Sequence, residues 1–76
     1  MSWSFKIAPP IILKDGRRLE TLADARAFIF ALPDRHLDGP ELKLAVQMLD
    51  VASNDWMMVS EAGEQIRVAL KAEGLI

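Results

Sequence analysis

From Glu41 to Asn54 the chain reads ELKLAVQMLDVASN, with polar side chains Lys43, Gln47, Asp50 and Asn54 at i, i+4, i+7 and i+11. At about 100° per residue these fall in one narrow stripe of a helix. Leu42, Leu44, Ala45, Val46, Met48, Leu49, Val51 and Ala52 occupy most of the remaining circumference. An ordinary surface helix buries one face, whereas this pattern asks for cover on two sides. The spacing predicts a central helix over 41–54 whose second apolar side is either core or a subunit seam.

The chain before it follows a shorter period. Trp3, Phe5 and Ile7 alternate with Ser4 and Lys6, as in a half-buried strand. Pro9 and Pro10 cannot donate to a ladder, so this segment is an edge strand or ends before them. Ile11-Ile12-Leu13-Lys14, Asp15-Gly16 and Arg17-Arg18-Leu19-Glu20 together predict a hairpin with a two-residue type I′ loop. That register sets Lys14 opposite Arg17 and Ile12 opposite Leu19.

Thr21-Leu22-Ala23-Asp24 opens a helix with a capping-box variant, its acid at N3 also suiting the helix dipole. Leu22, Ala25, Phe28, Ile29 and Leu32 share a face, Phe30 points elsewhere, and Pro33 ends the helix. Residues 34–39 read as a polar loop. Asp38 is the expected cap of the central helix, with Pro40 in its first turn and Glu41 at N3. Ser60 is the expected cap of a last helix over 61–73, with Val59, Ala62, Ile66, Ala69 and Leu70 as its buried stripe. Gly74 suits a C-terminal cap, after which Leu75 and Ile76 fold back onto the core. Strands first and helices afterwards predict an α+β fold. It has an N-terminal antiparallel hairpin, an extra edge strand as an option, and three α-helices.

Seventy-six residues make one small domain, 1–76. A chain this short buries only about 60% of the surface its unfolded form exposes. An apolar fraction of 51% against 26% charged residues indicates a globular domain and favours a dimer. The net charge of -2 offers nucleic acid no overall attraction. Without cysteine there is no disulfide, thiol nucleophile or thiolate metal site. No apolar run is long enough for a membrane span and no signal peptide is legible, so a cytoplasmic protein is expected.

Pro10-Ile11-Ile12, the hairpin, the helix opening Thr21-Leu22-Ala23-Asp24-Ala25, the stop Leu32-Pro33 and the ending Glu73-Gly74-Leu75-Ile76 recur together in a known pattern. The chain resembles a family of short bacterial proteins classed as a domain of unknown function. The resemblance spans nearly the whole chain and implies a strand-hairpin followed by three helices. It brings no catalytic or binding residues with it.

Candidate chemistry is sparse. His36 stands alone as a histidine, and a metal site would want two or more imidazoles, thiolates or well-placed carboxylates, so it reads as a solvated loop residue. Thr21 and Ser60 are explained by capping, and no nucleophile-elbow sequence surrounds Ser53. The scattered glycines form neither a P-loop nor a dinucleotide fingerprint. No catalytic residue, metal ligand or cofactor is assigned, and an enzyme is disfavoured. Lys14, Arg17 and Arg18, with Lys6 and Arg26 as candidates to join them, form a basic hairpin tip that could contact nucleic acid. The tip has no aromatic to stack a base, and charge there also blunts a sheet edge. Trp56, Met57 and Met58 either close the core between the last two helices, the favoured reading, or offer a contact surface. Leu44, Met48 and Val51 pose the same question on the central helix. The expected function is a non-enzymatic protein-interaction or regulatory module, homodimeric or bound to another protein. The alternative is a nucleic-acid-associated regulator using the hairpin tip.

Overall fold

Thr21 is where sheet becomes helix. In the computed structural model, which describes residues 2–76, its hydroxyl accepts from the Asp24 backbone N–H at 3.1 Å. The Asp24 carboxylate returns to the N–H groups of Thr21 (3.2 Å) and Glu20 (3.1 Å), completing the box. Upstream lie β1 (Lys6–Ile12) and β2 (Arg18–Thr21); downstream lie α1 (Leu22–Phe30), α2 (Asp34–Leu37), α3 (Pro40–Asn54) and α4 (Val59–Ala72). A 3₁₀ turn, Trp56–Met58, joins α3 to α4. The fold is α+β: one antiparallel hairpin followed by helices.

The hairpin register differs from the expected one. Ile11 faces Leu19 and Ile12 faces Arg18, around a loop of Lys14, Asp15 and Gly16. Leu13 N–H donates to the Arg17 carbonyl at 2.8 Å, and Gly16 N–H to the Leu13 carbonyl at 3.0 Å. Only Gly16 in this loop has positive φ, at 91°, whereas a type I′ turn needs it at Asp15 as well. Burial explains the preference. This register puts Ile11, Leu13 and Leu19 on the core face and turns Ile12 outward. The two-residue loop would set Arg18 and Glu20 on the same face as Leu13 and Ile11, exchanging core and solvent along one strand.

Pro9 and Pro10 do not end the strand. They sit inside β1 at an irregularity between the pairs Lys6–Thr21 and Ile11–Leu19, where missing amide donors cost no ladder bond. Trp3, at a bend, and Phe5 precede β1 outside the strand, held by Ala23 N–H to the Trp3 carbonyl and Leu22 N–H to the Phe5 carbonyl. Three other expectations fail. Residues 34–37 form the single helical turn α2 and not a plain loop. Gly39, not Asp38, is the N-cap of α3, and α4 begins at Val59 after Met58, so Ser60 lies within its first turn. The side chain that caps here is Asp55, which accepts from Met57 N–H at the 3₁₀ turn.

The core runs between the hairpin and the helices as one cluster. Leu42, Ala45, Leu49 and Ala52 of α3 recur at i, i+3, i+7 and i+10 and meet Ala62, Ile66, Ala69 and Leu70 of α4. Four alanines in that seam let the two helices approach closely. Gln65 Nε2 donates to the Glu41 carbonyl across it at 3.1 Å. β1 lies against α4, and Gly63 allows a close approach here: a Cβ on it would stand 3.2 Å from Ile7 Cγ2, so that Ile7 would have to give way slightly. Arg67 Nη2 also donates to the Pro9 carbonyl. At the end of α4, Gly74 takes φ 75° and donates to the Lys71 carbonyl while Leu75 N–H reaches Leu70, a Schellman closure. Leu75 and Ile76 then pack half-buried on the core, and the Leu75 carbonyl accepts from Lys14 N–H.

Candidate functional site

α3 has more apolar surface than its neighbours cover. Leu44 is 45% exposed and Val51 50%, with half-buried Met48 between them on the same ridge. Val68 of α4, 52% exposed, shares a shallow hollow with Met48, Ser60, Glu61, Glu64 and Gln65. Beyond the end of α3, Trp56 and Met57 are 70% and 67% exposed. The expectation that the Trp56-Met57-Met58 group closes the core therefore holds only for Met58, which is half-buried against it. The 3₁₀ turn is too short to send three successive side chains inward, so two of them face solvent.

The basic tip is partly self-neutralised. Arg17 Nε lies 2.7 Å from Asp15 Oδ2, and its backbone N–H donates to Asp15 Oδ1 at 3.0 Å. The backbone donor, with the guanidinium beside it, holds the Asp15 carboxyl below its ordinary range. Contrary to expectation an aromatic lies at the tip: the Arg17 guanidinium sits 5.5 Å from the centre of the Phe28 ring. Phe28 comes from α1, so strand spacing alone gave no sign of it. Lys14 and Arg18 have no acidic partner within 4 Å among the described residues. A hollow of about 460 Å³ beneath the tip, between hairpin and α1, is floored by Leu13, Leu19, Phe28 and Leu32.

His36 is not solvated. Its Nδ1 lies 2.7 Å from Glu73 Oε1, with both side chains about four-fifths buried (16% and 22% exposed). The carboxylate can only accept, so the imidazole N–H donates. The pair ties α2 to the end of α4. Ser53 is buried and its hydroxyl donates to the Asp50 carbonyl at 2.7 Å, out of reach of any substrate. Among the described residues no three His, Asp or Glu side chains gather as a metal site.

A second cleft, about 350 Å³, lies between α1 and α3 and was not foreseen. Arg26 and Phe30, one turn apart on α1, form one wall; Val46, Gln47, Leu49 and Asp50 of α3 form the other; Trp3 closes the end. Arg26 does not join the basic tip. Its guanidinium lies 5.1 Å from the Trp3 ring centre and 5.4 Å from that of Phe30. The i, i+4 spacing of Arg26 and Phe30 was the available signal, but Trp3 reaches them only through the backbone pairing described above.

Scans of family models, of curated proteins and of solved structures each find no match to this chain, and no family is identified. Among the described residues no helix is long and apolar enough to cross a membrane.

Proposed function

We propose that the chain is a non-enzymatic, cytoplasmic protein-interaction module that pairs with a second copy of itself through the outer face of α3 and α4. One observation carries this reading: Leu44, Val51, Val68, Trp56 and Met57 are each 45% exposed or more on a chain of only 76 residues. The flanking charges support self-pairing. Glu61 lies near the start of α4 and Lys71 near its end, on either side of Val68. In a two-fold pair residue i meets j and j meets i, so antiparallel apposition of α4 brings each Glu61 toward the other copy's Lys71. Light scattering in the high micromolar range should give about twice the monomer's 8.5 kDa. Val51→Asp combined with Val68→Asp should return the mass to 8.5 kDa with helical content unchanged. A wild-type chain of 8.5 kDa at that concentration would overturn the proposal.

A further inference from the structure

The cleft between α1 and α3 has three polar side chains in its walls, Arg26, Gln47 and Asp50. None of the three side chains hydrogen-bonds or ion-pairs with another described residue, although Arg26 and Asp50 have opposite charge and face the same space. The larger hollow beneath the hairpin tip differs in this respect. Arg17 is taken by Asp15, and Asp24 is committed to the capping box. The α1–α3 cleft combines an apolar body with Arg26 and Asp50, groups of opposite sign that pair with no other described residue.

We infer that this cleft binds a small zwitterion with an apolar tail, chemically a free α-amino acid of the leucine or phenylalanine type. The Arg26 guanidinium rests against two rings, which leaves its in-plane N–H donors for a carboxylate, the bidentate geometry arginine favours. Asp50 accepts the ammonium group, and Gln47 beside it supplies either a donor or an acceptor. Trp3, Phe30, Val46 and Leu49 surround the tail. A simple anion would meet Asp50 and a simple cation would meet Arg26; a zwitterion answers both. At about 350 Å³ the space lies near the lower end of small-ligand sites, ~300–1,000 Å³, which excludes a cofactor-sized guest. The cleft opens on the stripe of α3 that carries Gln47 and Asp50, which borders the ridge of Leu44 and Val51; neither of those two lines it, so the inference does not depend on the dimer.

Trp3 makes the test direct, because Trp56 is the only other tryptophan. In a Trp56→Phe background, titration with L-leucine and L-phenylalanine should change Trp3 emission saturably, with dissociation constants in the millimolar range or tighter. N-acetyl-leucine, which lacks the ammonium, and leucinamide, which lacks the carboxylate, should each bind at least about tenfold more weakly. Arg26→Gln and Asp50→Asn, both at exposed positions, should reproduce these losses from the protein side with an unchanged circular dichroism spectrum. No saturable change with either amino acid would overturn the inference. So would equal binding of the acetylated or amidated forms, since the charge pair would then play no part.

Discussion

The two sides of α3 are equally apolar in sequence and opposite in circumstance. On one, Leu42, Ala45, Leu49 and Ala52 are buried against α4; on the other, Leu44 and Val51 stand half in water. The difference lies in what each side meets. Alanines at 45, 52, 62 and 69 let two helices close on each other, and a helix packed that tightly has only one such seam. With α1 and the hairpin committed to the remaining core, Met48 is covered in part, and among the described residues nothing is left to cover Leu44 and Val51. Apolar patterning therefore identifies more surface than the chain buries, while the distribution of small residues decides which part of it is buried within the chain.

Four measurements can break or sharpen that contrast. The largest effect belongs to Leu49→Ala, which should cost about 2–5 kcal/mol in urea unfolding because it empties a space in the seam. A loss under about 1 kcal/mol would mean that the seam is not core. Ala69→Leu should cost about 1–3 kcal/mol, since a larger side chain must push α3 from α4. Val51→Ala should change the stability of the dilute monomer by no more than about 0.5 kcal/mol. A cost like that of Leu49→Ala would place Val51 in the core and erase the difference between the two sides.

The smallest effect is electrostatic and lies away from α3, at the exposed hairpin tip. Asp15 in the folded chain titrates below its ordinary 3.8, held there by the Arg17 N–H and guanidinium. Its contribution is thus fully present above 3.8 and fades as pH falls through the lower folded value. The stability gap between wild type and Asp15→Asn should stay constant from neutral pH down to 3.8 and narrow only below it. A gap that changed nearer neutrality would assign the titration to another group.

What could be read from the sequence follows the range of the interactions. The capping box at Thr21 and the closure at Gly74 are each settled by residues within a few positions, and both were legible. The hairpin was legible as a hairpin but not in register. Asp15-Gly16 suits two turn types, and the choice was made by the core face of Ile11, Leu13 and Leu19. His36 meets Glu73, 37 positions away, only after the helices have packed, and Trp3 meets Arg26 only when the N-terminal segment pairs with the start of α1. Local patterning carries no trace of either meeting. Trp56 and Met57 were misjudged because an apolar run reads as core, whereas a tight turn shows part of its run to solvent.

α4 touches β1 at Gly63, the Glu41 carbonyl through Gln65, α2 through the closing Glu73, and the hairpin loop through Leu75. Among the described helices it is also the last in chain order, and so the last of them to leave a ribosome. Until it emerges, Ile7, Leu42 and Leu49 lack their main cover, and the nascent chain carries a greasy, unfinished interior. A peptide ending at Asn54 should accordingly behave as a sticky coil, whereas the full chain should acquire its order in one late, cooperative step.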